Sequence, residues 1–328
     1  MKFVTYTHIE GTEPRFGFVR DDYIVDVLYG AIYINESQGN STFLSIPTSL
    51  KRALENWTEI FEQLKDLERS LPDSLIHTYS ARGKPIAQAI DSVQFFPPVP
   101  EPRTFRDFYA FEQHVKSARK NRGLEIDPLW YEIPIFYFSN PTALYGHKDE
   151  IPYPEPSEEL DFELEFAVII AEGGRDISEK DAGNFIGGYT ICNDWSARDF
   201  QREEMRLSLG PAKGKDFATS FGPFMVTPDE LDNHLDEDGK LNLRMTCKVN
   251  GELLSDGNSN DLYHSFASMI ERASQNANLH AGDYIGSGTV GTGCILELGP
   301  ENTNGWLKKG DLLTLEIEGL GTLENKIV

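Results

Sequence analysis

Residues 160–171, LDFELEFAVIIA, constrain the fold more than any other segment of the chain. Leu160, Phe162, Leu164 and Phe166 alternate with Asp161, Glu163 and Glu165, the period of a strand with one apolar face. The alternation then runs into AVIIA, a continuous apolar stretch of the kind found in strands covered on both faces. A fold that accepts this strand must place a layer on each side of its sheet, and carboxylates there need a partner. Two residues of spacing put Glu163 and Glu165 on one face, about 6.5 Å apart at the backbone, near enough for their side chains to converge on one cation. On this motif alone, a solvated strand face is the competing reading.

The 328 residues suit one large domain with a smaller companion. At the start, Phe3 and Thr5, then Phe16 and Phe18, then Tyr23, Val25 and Val27 suggest paired strands around a Gly11 to Pro14 turn. Leu50, Leu54, Trp57, Phe61, Leu64 and Leu67 recur at helical spacing, which predicts one amphipathic helix from Thr48 to Leu71, capped by Thr48 or Ser49. In FFPPVPEPR, the prolines 97, 98, 100 and 102 exclude both helix and central strand. The boundary is drawn there, giving a small β-rich unit over 1–96 and a catalytic unit over 97–328. The latter reads as mixed α+β and mostly β, with brief helices such as the one following Ser178.

Thirty Lys and Arg against fifty-three Asp and Glu leave a formal charge of −23. That surplus repels phosphate backbones and anionic membranes, so nucleic acid and membrane surfaces are excluded as partners. A small anionic substrate would need a site with its own metal ion, Arg or Lys. Cys192, Cys247 and Cys294 lack the paired spacing of a zinc cluster or disulfide framework. With no long apolar run and no signal-peptide pattern at the start, a cytoplasmic location is expected.

Two further segments carry candidate chemistry. GGYTICNDWSARDFQ is an apolar strand-like run ending at Asn193 and Asp194 and passing into a helical turn. Asp194 either sits at the mouth of that strand or caps the helix. Arg198 and Gln201, three apart, are neighbours on the helix surface. In RTFRDFYAFEQHVKSARKNRG, Phe108, Phe111, Val115 and Ala118 form a helical stripe, and two helical turns would align Asp107 with His114. A histidine on such a helix is otherwise an ordinary core or surface residue.

DFYAFEQH, DFELEF, NDWSARDFQ, GKDFATSFGP and GSGTVGTGCILEL, in this order and spacing, resemble the fumarylacetoacetate hydrolase family across the catalytic unit. NDWSARD is the most specific block. The N-terminal part looks like that family's small β-barrel-like domain. The resemblance implies a β-roll catalytic fold and a homodimer. It makes Asp107, Glu163, Glu165 and Asp194 metal ligands, His114 the general base and Glu297 its orienting partner. Tyr109, Tyr137, Arg198, Gln201, Lys215 and Thr289 become substrate contacts or charge stabilisers. Smaller relatives have a glutamate three residues after the histidine, where this chain has Ser117, and a Lys-Pro pair where it has Ser139 and Asn140 before Pro141. With the fourth acid at Asp107, these departures place it nearer the true fumarylacetoacetate hydrolases. Arg119 and Arg122 both compete for the role of binding a distal substrate carboxylate.

An all-oxygen ligand set suits magnesium or calcium, with manganese also possible, and disfavours zinc. The implied activity is metal-dependent hydrolysis of the carbon-carbon bond of a 1,3-diketo acid, as in aromatic amino acid catabolism. The alternatives are a metal-dependent 2-oxo acid decarboxylase, tautomerase or dehydratase of the same superfamily, or a non-catalytic metal-binding protein.

Overall fold

The structure, a computed structural model, describes residues 1–7, 13–39, 41–43, 45–72, 79–121 and 123–328. The expected turn at Gly11 falls partly outside the described residues, as does Arg122. The fold is mixed α+β and strand-rich, as the alternation patterns require. Strand Leu164–Ile170 lies inside an 11-stranded sheet, antiparallel to Ile186–Asn193 on one side and to Tyr284–Gly286 on the other. Its neighbours place Ala167 between Thr190 and Gly286.

Both faces of this strand are covered. Leu164, Phe166, Val168 and Ile170 pack into a core with Met245, Leu313, Leu315 and Ile317 of a second, five-stranded sheet. Ala167, Ile169 and Ala171 pack into another core with Phe3, Phe16, Phe18, Leu64 and Leu67 of the N-terminal part. Burial of large side chains at about 25 cal/mol per Å² of apolar surface drives both layers together.

The proline-rich segment does not interrupt the sheet. Strand Lys2–Thr7 pairs antiparallel with Thr219–Val226, so Lys2 faces Val226 and Phe3 faces Met225. Strands Pro14–Arg20, Tyr23–Asp26 and Ala87–Ala89 continue outward from it. The N-terminal residues therefore extend the sheet that carries Leu164–Ile170 and Ile186–Asn193.

Two local expectations are corrected. The helix expected from Thr48 to Leu71 is split into Leu50–Leu54 and Trp57–Ser70. Glu172 fills the break: its backbone N–H donates to the Leu54 carbonyl at 2.8 Å, and its carboxylate accepts from the Thr58 N–H at 2.8 Å. Ser49 caps the first piece, accepting from the Arg52 N–H at 3.4 Å. The helix aligning Asp107 with His114 does not form either. Phe105–Phe108 is a strand, parallel to Tyr284–Gly286 and antiparallel to Phe136–Ser139, and the helix begins only at Glu112. Phe105 and Phe108 are both buried, and ladder pairing on two sides outweighs the helical stripe. The turn after Ser178 is helical but of the tighter 3-10 type, Glu179–Phe185. Among the described residues no helix is long and apolar enough to cross a membrane.

Phe3 is fully buried, with ring centroids 5.6 Å from Phe16 and 5.5 Å from Trp57. Phe3→Ala is expected to cost about 3–5 kcal/mol. Because the sheet is continuous, the loss should appear in one transition seen alike by far-ultraviolet dichroism and tryptophan fluorescence in a denaturant titration. Two separated transitions would show instead that the N-terminal strands unfold alone.

Candidate active site

Strand register brings the first acidic residues together. Asp107 pairs with Tyr137 on one side and Gly286 on the other. The neighbouring segment has glycine at the two positions that pass closest to this strand, Gly286 and Gly288. A Cβ on Gly286 would lie 2.3 Å from Asp107 Oδ1, and one on Gly288, whose φ is +76°, 2.3 Å from the Phe108 carbonyl oxygen. The GSG of the late motif is thus the close-approach surface against which the Asp107 strand lies.

Glu163 and Glu165 do not share one continuous strand. The ladder ends at Leu160–Asp161 and resumes at Leu164, because Asn193 Oδ1 accepts from the Glu163 N–H at 2.9 Å while the Glu163 carbonyl accepts from the Asp194 N–H at 3.4 Å. Asn193 and Asp194 therefore fix the kink that turns Glu163 toward the site. Trp195, fully buried, anchors the same segment by donating to Ser220 Oγ at 2.9 Å. Asp194 does not cap the helix Arg198–Arg206, whose cap residue is Ala197 and makes no side-chain bond.

Oxygen atoms of Asp107, Glu165 and Asp194 lie within 4.8 Å of one another. Glu165 Oε1 accepts from Thr289 Oγ1 at 3.2 Å, and Asp194 Oδ2 accepts from Tyr137 OH at 2.6 Å and Lys215 Nζ at 2.6 Å. The remaining oxygens, Glu165 Oε2 and Asp194 Oδ1, are buried without a protein partner. Burial, followed by the Asp194 charge for Asp107 and the Asp107 charge for Glu165, pushes both carboxyls well above the usual carboxylate range. Asp194 is also raised by burial, against the pull of Lys215.

Glu163 stands beside this trio but in a different electrostatic setting. Its Oε2 accepts from Lys215 and its Oε1 lies 2.8 Å from Arg198 Nη2. Burial alone would raise it, yet Lys215 and Arg198 together hold it down at about 2. Of the four acids expected as ligands, three thus converge, two of them with unpartnered oxygen atoms, and the fourth adjoins them in ion pairs with the two cations.

A residue that sequence reasoning passed over holds this arrangement. Asp161, fully buried, accepts from Arg198 Nε at 2.8 Å and from the backbone N–H groups of Ile295 at 2.7 Å and Leu296 at 3.0 Å. It thereby joins Arg198 to the short helix Ile295–Leu298, which carries Glu297. Its signal was present in the alternation of LDFELEF, which marked it as a third acid on a buried strand. Glu297 in turn bonds to His114 Nδ1. The ring of Tyr109 lies edge-on to His114, with centroids 5.3 Å apart. Arg198 Nη1 donates to Gln201 Oε1 at 3.0 Å, confirming their adjacency. Arg119 Nε donates to the Glu125 carbonyl.

Five buried carboxyl groups (Asp107, Asp161, Glu163, Glu165, Asp194) face two buried cations (Arg198, Lys215). A dication among the three converging carboxylates would satisfy the orphaned oxygens and offset most of the surplus charge, and an all-oxygen set suits a hard ion. The residues present therefore fit a divalent metal.

The family profile for the fumarylacetoacetate (FAA) hydrolase C-terminal region matches residues 103–328. The oxaloacetate tautomerase YisK of Bacillus subtilis is 30% identical over 243 residues, 73% of this chain and 74% of that protein. The mitochondrial oxaloacetate tautomerase FAHD2A of Homo sapiens is 34% identical over 196 residues, 60% of this chain and 59% of that protein. Among solved structures, a fumarylacetoacetate hydrolase from the psychrophile Exiguobacterium antarcticum superposes with a TM-score of 0.71 at 24% identity, covering 100% of this chain and 99% of that one. The maleylpyruvate hydrolase from Sphingobium sp. SYK-6, in complex with manganese(II) ion and pyruvate, gives 0.68 at 21% identity with the same coverage.

The raised carboxyls set a sign for the pH dependence. A folded-state carboxyl pKa above its unfolded value, about 4, means that the metal-free fold holds more protons than the unfolded chain and loses stability as pH rises above that value. Divalent metal at about 100 times its dissociation constant contributes about 2.7 kcal/mol. Added Mg2+ or Ca2+ should therefore raise the melting temperature, and by more at pH 8 than at pH 5. A metal effect that shrinks with rising pH, or vanishes, would contradict the site.

Proposed function

The chain belongs to the fumarylacetoacetate hydrolase family, and on that premise we propose that it hydrolyses the carbon-carbon bond between the two carbonyls of a 1,3-diketo acid. The observation that carries this reading is the His114 to Glu297 pair, formed by residues 183 apart in sequence and set beside the carboxylate cluster. Hydrolysis needs an activated water, and a paired imidazole is the group that activates one.

Glu297 engages Nδ1 of His114 and fixes the ring, which leaves Nε2 to take a proton from water. The water oxygen adds to one carbonyl carbon. Collapse of that adduct breaks the bond to the central carbon, whose electron pair is delocalised onto the second carbonyl as an enolate. The imidazolium returns its proton to that carbon, giving a carboxylic acid and a methylene or methyl ketone acid. A divalent cation held by Asp107, Glu165 and Asp194, with Glu163 adjoining, supplies Lewis-acid polarisation when bound.

Lys215 has three N–H donors and spends two on Glu163 and Asp194, so one remains for a substrate oxygen. Its two carboxylate partners overcome the effect of burial and keep the ammonium charged. Gln201, whose carbonyl oxygen is occupied by Arg198, presents its NH2 as a second donor. Arg198 is committed to Asp161 and Glu163 and acts chiefly as a charge balance. Tyr137 donates to Asp194, and Thr289 to Glu165, so both orient ligands before they meet any substrate.

A second reading is favoured by the relatives named as oxaloacetate tautomerases. Keto-enol exchange of a 2-oxo acid needs the same proton carrier and the same enolate stabilisation, without the water. The two separate on product. With Mg2+ present, a panel of acylpyruvates and fumarylacetoacetate is expected to lose its enol absorbance with one new carboxylate formed per molecule. Loss of absorbance with no new acid would leave tautomerisation as the activity.

His114→Ala is expected to lower kcat for hydrolysis by roughly 100- to 10,000-fold, with Mg2+ affinity from calorimetry essentially unchanged. Turnover equal to that of the unaltered protein would remove His114 as the base.

A further inference from the structure

No two of the three cysteines are near in sequence, which excludes a cysteine-only zinc cluster. The fold nevertheless brings one of them into a mixed cluster. Cys294 immediately precedes the helix Ile295–Leu298, three residues before Glu297. Its Sγ lies 4.0 Å from Glu297 Oε1, the oxygen that also bonds to His114 Nδ1. One ligand atom from each of His114, Cys294 and Glu297 falls within 4.8 Å of the others. Thr292 steadies the glutamate from behind, its N–H donating to Oε2 at 3.3 Å.

We propose that His114, Cys294 and Glu297 form a second metal site, selective for a soft divalent ion such as zinc, whose occupation withdraws the imidazole from proton transfer. Nitrogen, sulfur and oxygen donors from three side chains leave a fourth tetrahedral position for water. Bonds of about 2.0–2.3 Å to zinc separate such ligands by about 3.5 Å, so side-chain rotation opens the His114 to Glu297 hydrogen bond while bringing the sulfur slightly closer to the glutamate. On binding, the thiol gives its proton to solvent as the sulfur-metal bond forms, and so does the His114 to Glu297 pair if it holds one. The two sites divide ions by chemistry: the oxygen-only trio of Asp107, Glu165 and Asp194 takes the hard cation, and the sulfur-containing trio takes the soft one. The Glu297 N–H partner and the Asp161 bonds to Ile295 and Leu296 are the outer contacts that hold the second set in place. The site itself stands on geometry; only its inhibitory effect rests on the reading of His114 as the base.

The full chain is loaded with excess Mg2+ and titrated with Co2+, a spectroscopic stand-in for zinc. The expected result is a sulfur-to-cobalt charge-transfer absorption in the near ultraviolet that saturates at one equivalent, vanishes in Cys294→Ser and persists in Cys192→Ser. Cys192 is the necessary control, since it pairs with Glu165 across the strands and is the competing thiol. No sulfur band in the unaltered protein, or a band that survives Cys294→Ser, overturns the proposal. If Cys294→Ser does not fold, as judged by its melting curve, Cys294→Ala carries the same comparison. In the activity arm, Zn2+ inhibits the Mg2+-loaded protein, and Cys294→Ser needs at least about tenfold more zinc for the same inhibition. Absent turnover of any diketo acid, the absorption arm still decides the site; a missing band with turnover intact sinks the site and leaves the hydrolase reading standing.

Discussion

Everything in this fold answers to the cost of holding five carboxyl groups out of water. Isolated buried charges cost several kcal/mol each even after relaxation, and the chain meets that cost in three ways. Lys215 and Arg198 bracket Glu163. Asp161 is saturated by one guanidinium and three backbone amides. Asp107, Glu165 and Asp194 are left with raised proton affinities, and Glu165 and Asp194 each keep one unpartnered oxygen. The first two groups are complete without help, whereas the third is satisfied only by protons or by a cation. A site that is incomplete in this selective way is how a protein stores affinity for a hard metal at one position and not at the others.

How much of this was legible depends on the range of the interactions involved. The doubly buried strand could be read directly, because period and apolar continuity are local properties, and the two cores on either side of Leu164–Ile170 follow from them. Asp194 at a strand mouth was equally local. Asp107 was misplaced on a helix because its apolar neighbours also fit a 3.6-residue stripe, and only pairing with strands from residues 136–139 and 284–286 decides the matter. The kink at Glu163 depends on Asn193, thirty residues away, and the tie of Asp161 to Ile295 on a partner 134 residues away. Such contacts leave no periodic trace. His114 and Glu297 were linked only through the family resemblance, which supplied what spacing could not.

Resemblance and structure also inform each other about the metal. The family pattern treats the four acids as equivalent ligands, while the ion pairs of Glu163 set it apart from the other three. Sequence alignment cannot register that difference, since it lies in what Lys215 and Arg198 touch. The same is true of Cys294, unremarkable in sequence and placed by the fold against the oxygen that orients the imidazole.

The strand Thr219–Val226 owes its outer partner to Lys2–Thr7. A truncation at the prolines would strip that partner away and leave Phe221, Met225 and Val226, now buried, along a bare sheet margin. Unprotected margins recruit further chains by β-addition. The amino-terminal strands thus cover one margin of the sheet that carries the carboxylate cluster.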